Sequence, residues 1–170
     1  MKAKLIVEGK EFPIEIHDPE LQKLLKPQKK TGYERIEDKG QDFSCVHNDG
    51  EVSCCTESFL DYTDKLYETA NYYSDKTIAE NNARADKLMR QLRRFAVEHR
   101  ERSLCWIKGF CDTKWSIIYD CPNDRLIPFK HWDVHEAFVV YFDSETNARL
   151  AIETFHDELI WYFTEYKDSL

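Results

Sequence analysis

The chain has 170 residues, the length of one domain or of one domain with a small appendage, and its 42% hydrophobic and 14% aromatic content is enough for a sizeable core. Five Gly and five Pro exclude a collagen or a low-complexity tail, and no run of about 18 apolar residues exists to form a membrane-spanning helix. The formal charge of −8, from 24 basic and 32 acidic side chains, argues against a protein that coats nucleic acid with its whole surface.

In chain order, Leu5-Ile6-Val7, a turn around Gly9, and Phe12, Ile14 and Ile16 alternating with polar residues predict a β-hairpin. Pro13 places its strand at an edge. Asp18-Pro19-Glu20 is a helix start, with Asp as cap and Pro in the first turn, followed by Leu21, Leu24 and Leu25. The polar stretch from Lys26 to Gly32 then reads as a linker, so residues 1–26 form an N-terminal arm of hairpin and short helix. Short strands follow at Tyr33–Ile36, Phe43–His47 and Glu51–Cys55, the last two joined by an Asn48-Asp49-Gly50 turn.

Ser74 or Asp75 caps a long helix in which Ile78, Ala85, Leu88, Met89, Leu92, Phe95 and Ala96 recur at helical spacing. No Gly or Pro occurs from 75 to 102, so the pattern runs for more than about six turns. Strands are predicted at Leu104–Phe110, Trp115–Tyr119, Leu126–Phe129 and Ala137–Phe142, and a second long helix starts at Ser144. The fold class is therefore α+β: short antiparallel strands feeding two long helices, as units 27–102 and 103–170 of one compact domain, 27–170. The run Tyr72-Tyr73-Ser74-Asp75-Lys76-Thr77-Ile78-Ala79 lies over Tyr141-Phe142-Asp143-Ser144-Glu145-Thr146-Asn147-Ala148, as a duplicated strand-and-helix unit would require; ordinary capping preferences select similar residues.

Charge is distributed unevenly. Residues 1–80 and 103–170 each carry a net −6, whereas 81–102 carry +4. Lys87, Arg90, Arg93, Arg94, Arg100 and Arg102 are thus candidates to contact a phosphate backbone; the alternative is that they complement the helix dipole and pair with nearby acids. Asp61, Asp64 and Glu68, with Glu153, Asp157 and Glu158, stand at helical spacings and offer a surface able to imitate phosphate charge toward a basic partner; the alternative is a solvated helix face.

Signals for chemistry are weak. His131 and His135 stand four apart, but Pro128 upstream and the absence of paired Cys-x-x-Cys spacing argue for a surface loop with aromatic packing, not a metal site. Cys45, His47, Cys54 and Cys55 fall on the two arms of one hairpin, where adjacent Cys54 and Cys55 face opposite ways. No nucleotide-binding loop, nucleophile elbow or zinc-protease motif is found, so no enzyme, metal or cofactor is called for. The first eight residues contain no apolar segment of signal-peptide length, which predicts a cytoplasmic protein with reduced thiols.

The stretch Asn71–Glu80 with Ala85–Leu88 and Arg93–Ala96, the Lys4–Ile16 hairpin, Lys30–Arg35 and the Tyr141–Ile152 junction resemble segments of small phage and prophage accessory proteins of bacteria, among which are anti-CRISPR inhibitors of type II effector nucleases. The resemblance carries no catalytic motif. It implies a non-enzymatic anti-defence protein of the bacterial host cytoplasm that binds a guide-RNA-loaded type II effector and blocks target binding or cleavage. The alternative is a phage regulator that binds nucleic acid through residues 84–102.

Overall fold

Two compact units divide the chain, Met1–Lys30 and Thr31–Leu170. The computed structural model describes residues 2–7, 10–20, 30–104, 106–107, 110–132 and 134–168. In the first unit, β1 (Lys2–Val7) pairs antiparallel with β2 (Lys10–Glu15), Lys4 standing opposite Pro13. The short helix expected after Asp18 extends over residues 21–25, which lie outside the described residues.

The second unit is α+β, with four helices among the described residues. β3 (Asp42–Val46) and β4 (Val52–Thr56) form the first hairpin of this unit. Gly50 at its turn has φ +91, a left-handed conformation that costs glycine little. Tyr73 then exchanges both backbone hydrogen bonds with Ser44, at 2.8 and 2.9 Å, as a one-residue third strand. Between them lies α1 (Asp61–Glu68), and after Tyr73 comes α2 (Lys76–Glu98), whose first turn is capped by the Asp75 carboxylate accepting from the Ile78 N–H at 3.0 Å. The same sequence of events recurs downstream. β7 (Lys114–Asp120) pairs with β8 (Arg125–His131), and Phe142 exchanges both hydrogen bonds with Trp115 at 2.9 and 2.7 Å. Ser144 then caps α3 (Glu145–Thr154), accepting from the Asn147 N–H at 3.2 Å. The paired junction residues thus occupy equivalent places, down to Ala79 and Ala148, both fully buried where helix meets strand. Ahead of β7, β5 (Trp106–Ile107) and β6 (Phe110–Cys111) form a small hairpin.

One helix serves both halves. Near its start, Ile78 and Ala79 pack with Tyr73, Tyr33, Val46 and Val52. Nearly three turns on, Leu88, Leu92, Phe95 and Ala96 pack with Phe142, Ala148, Ala151 and Leu159. The opposite face of β3 buries Phe43 and Cys45 against Tyr72, with Leu66 of α1 alongside. Phe43 and Tyr72 stack with ring centroids 4.0 Å apart.

Four expectations are corrected. Tyr33–Ile36 is not a strand: Gly32 has φ +93, and the Glu34 carboxylate turns back to accept from the Thr31 and Gly32 N–H groups and the Thr31 and Ser74 hydroxyls. These bonds, the Thr31 N–H foremost, hold the Glu34 pKa down to about 2. Leu104–Phe110 is not one strand but contributes to the separate strands β5 and β6. Ala137–Phe142 pairs only at Phe142, because Phe138 adopts φ +65 and leaves the extended region. The helix from Ser144 breaks at Phe155, whose ring turns edge-on to Phe95, and resumes as α4 (His156–Thr164). The long helix itself spans 23 residues and ends at Glu98, leaving Arg100 and Arg102 beyond it.

Candidate nucleic-acid and partner interface

The end of α2 is tied down by Asp143, which is buried and accepts from the Glu101 and Arg102 N–H groups at 2.7 and 3.3 Å and from Asn147 Nδ2 at 2.8 Å. Burial opposes its ionisation, but these donors prevail and hold its pKa below the usual aspartate value. Arg102 joins the same knot, donating to the Thr113 and Asp143 carbonyls at 2.9 and 3.2 Å and pairing with Asp112 at 3.1 Å. It is therefore a positioning residue and not a free contact.

Along α2 and just beyond its end the remaining cations separate into sets. Lys87, Arg90 and Arg94 recur at i, i+3 and i+7 and share one stripe, which borders a concavity of about 370 Å3 with Asn48, Asp49 and Gln91. The Asn48-Asp49-Gly50 turn thus lies against the helix: a Cβ placed on Gly50 would stand 3.3 Å from an Arg90 guanidinium nitrogen. Arg93 and Arg100 border a different depression, of about 310 Å3, with Val97, His135 and Tyr141. Arg94 makes a long exposed contact to Glu98 at 3.8 Å, worth little in water. Lys87, Arg90, Arg93 and Arg100 make no ion pair among the described residues, although the Lys87 charge is close enough to Glu158 to help lower its pKa. Arg84, just upstream, is fully engaged: it grips Glu158 through two bonds of 2.8 and 3.0 Å and lies over the Trp161 ring at 4.0 Å.

The acidic candidates are equally mixed. Glu158 is held by Arg84, whose hydrogen bonds lower its pKa. Asp64 pairs with Arg35, and Asp61 with Lys65 at 2.6 Å. Glu68, Glu153 and Asp157 are exposed, Asp157 beside His156 at 3.1 Å. They are dispersed over α1, α3 and α4 and do not form one bonded cluster.

The chain matches no known family model, curated protein or solved structure.

Several groups of chemical interest escaped the sequence reading. Glu57 is 1% exposed and accepts from the Phe59 N–H at 2.7 Å and the Tyr72 hydroxyl at 2.9 Å, with Arg35 and Thr63 adjoining. Burial raises its pKa, but these bonds outweigh it and bring the value to about 2. Arg35 in turn lies over the Phe59 and Tyr67 rings, at 5.2 and 5.6 Å. Asn71 uses its carboxamide as a surrogate strand, accepting from the Val46 N–H and donating to the Val46 carbonyl, both at 2.8 Å. The alternation of charge with aromatics from Glu57 to Tyr72 was the available signal for the first cluster; nothing in the sequence marks the second.

The candidate thiols and imidazoles are located as follows. Cys45 and Cys55 lie diagonally across the hairpin with sulfurs 3.2 Å apart, Cys54 turned outward from them. Ser53, not singled out by the sequence, links His47 Nε2 at 2.7 Å to these thiols. Burial pushes the Cys55 thiol up, which disfavours the nucleophilic thiolate. His131 corrects the expectation of a surface loop: it ends β8, is 6% exposed, and its Nε2 lies 2.7 Å from the Ser116 hydroxyl. His135 is on the exposed connection beyond. Among the described residues no group of three His, Cys, Asp or Glu side chains is arranged to hold a metal, and no helix is long and apolar enough to cross a membrane.

Proposed function

We propose that this chain is a binding protein of the phage anti-defence kind, an anti-CRISPR whose partner is a guide-loaded type II effector nuclease. The observation that carries the reading is the Lys87–Arg90–Arg94 stripe on an acidic chain, beside the Asn48–Gly50 turn. Exposed guanidinium and ammonium groups on one helical stripe, of which only Arg94 makes an ion pair among the described residues and that a long one to Glu98, suit phosphate oxygens, which they meet as charge-assisted hydrogen bonds. A body of net charge −8 is repelled by bare duplex, so a nucleic acid already enclosed in a positively charged protein is the better match. The exposed carboxylates Glu68, Glu153 and Asp157 face outward and complement the basic channels of such an effector. The choice of a type II effector as the class of partner rests on the resemblance of Asn71–Glu80, Ala85–Leu88, Arg93–Ala96 and Tyr141–Ile152 to segments of phage accessory proteins.

The test is target cleavage by guide-loaded type II nucleases with and without the protein, run beside a binding titration on free duplex. Inhibition is expected, with little affinity for free DNA, and the Lys87→Glu/Arg90→Glu/Arg94→Glu variant is expected to lose at least about tenfold in potency, or roughly 1.4 kcal/mol. The second reading, a nucleic-acid-binding regulator, draws on the same stripe. It predicts tight binding to free duplex that weakens with salt by a slope of about −3 for three phosphate contacts. No inhibition across several orthologous effectors together with such binding overturns the first reading in favour of the second.

A further inference from the structure

The two halves differ at one equivalent strand position. In the first half, Ser44 exchanges both hydrogen bonds with Tyr73, so by alternation the next residue of β3 to turn its backbone toward that edge is Val46. The Asn71 carboxamide satisfies it on both sides. In the second half Trp115 and Phe142 make the same exchange, and the next edge-facing residue is Ile117. Pro128 stands opposite Ile117 on β8, as it must where no ladder bond is made on that side. Asn71 precedes Tyr73 by two; the residue two before Phe142 is Val140, whose side chain offers neither donor nor acceptor. Among the described residues no hydrogen bond reaches the edge-facing N–H or C=O of Ile117.

That edge borders a cavity of about 270 Å3 lined by Ile117, Ile118, Val139, Val140, Met89 and Phe163. It lies at or below the lower end of volumes that hold drug-sized ligands, and its lining is mostly apolar, so it suits one or two aliphatic side chains with their backbone better than a cofactor. Phe138 also lines it, 92% exposed and at φ +65, a conformation that bulky residues avoid unless the surroundings impose it.

We infer that this cleft receives an extended apolar peptide segment of a partner protein, which adds as a strand at Ile117. The incoming backbone supplies the donor and acceptor that Asn71 supplies in the first half, and one apolar side chain fills the cavity below Phe138. A peptide is preferred to a small apolar molecule because the site presents both a backbone donor and a backbone acceptor at one residue spacing. The inference does not depend on the identity of the effector proposed above.

The test uses amide hydrogen exchange on the whole chain with a pool of short, acetylated and amidated peptides carrying Val, Ile, Leu or Phe at alternate positions. In the free protein the Ile117 amide is expected to exchange at least about tenfold faster than that of Val46, and to slow by a comparable factor with the pool. The same pool N-methylated on its backbone is expected to have no effect. Val140→Asn is expected to protect Ile117 without peptide and to abolish the response to the pool. Equal protection of Ile117 and Val46 in the free protein overturns the inference, as does an unmethylated pool that leaves Ile117 unchanged. An equal response to both pools shows an apolar pocket without strand addition and also overturns it. Should Val140→Asn not fold, the comparison of the two pools on the unaltered protein decides the matter.

Discussion

Replacing Glu57 by Gln keeps the shape of a buried side chain while removing the charge on which its neighbours converge. The Phe59 N–H, the Tyr72 hydroxyl, Thr63 and Arg35 all favour the ionised form, and together they bring the folded-state pKa to about 2 against an ordinary 4.5. Because the folded value is depressed, the carboxylate stabilises the fold above pH 4.5, and the contribution is lost as pH falls toward 2. A shift of this size corresponds to about 3 kcal/mol at neutral pH, falling below about 1 kcal/mol near pH 2.5. Urea denaturation followed by tryptophan fluorescence, at pH 7 and at pH 2.5, should therefore show Glu57→Gln less stable by about 3 kcal/mol at the first pH and nearly equal to the unaltered chain at the second. A difference that does not change with pH, or one below about 1 kcal/mol at pH 7, would refute the view that Glu57 acts as a buried anion.

Other perturbations test separate parts of the fold. Arg84→Ala removes the two-bond grip on Glu158 and the contact over Trp161; both partners are partly exposed, so a loss of about 1–2 kcal/mol is expected, shrinking in high salt. Asp75→Ala and Ser144→Ala each delete one cap and should each cost about 1 kcal/mol, with additive effects in the double variant. Gly32→Ala places a Cβ 2.8 Å from Ile78 Cγ1 at φ +93, and thermal unfolding should show a loss larger than the roughly 1 kcal/mol typical of a tolerated glycine replacement. Phe142→Ala empties a site that is 1% exposed and should cost about 3–5 kcal/mol.

Elements governed by local chemistry were legible in the sequence. The Asn48-Asp49-Gly50 hairpin, both helix caps and the long helix from Lys76 follow from turn residues, capping side chains and apolar spacing. What escaped were features set by contacts between distant residues. Tyr33–Ile36 has a strand-like composition, yet Glu34 finds the hydroxyl of Ser74 forty positions away and bends the backbone. Phe155 belongs to an unbroken helical pattern, but its packing on Phe95 accompanies a break that the pattern does not show. The candidate cations were legible as charges and not as neighbours: the sequence gives no sign that Arg102 is tied to Asp112 and Asp143 while Lys87, Arg90 and Arg94 face one concavity. The alternation of charge with aromatics from Glu57 to Tyr72 marks the segment but not Glu57 within it, because the importance of Glu57 lies in its burial and in its bonds to Tyr72 and Phe59.

The helix shared by the two halves has a consequence for how the second unit folds. During synthesis, residues 31–98 can close the first hairpin on Ile78 and Ala79, but Leu88, Leu92 and Phe95 remain uncovered until Phe142, Ala148 and Leu159 have emerged. A chain shortened before β7 would present that apolar row to solvent and to other copies, inviting association. The complete unit should instead unfold in a single all-or-none transition, since neither half can lose its helix without the other losing it too.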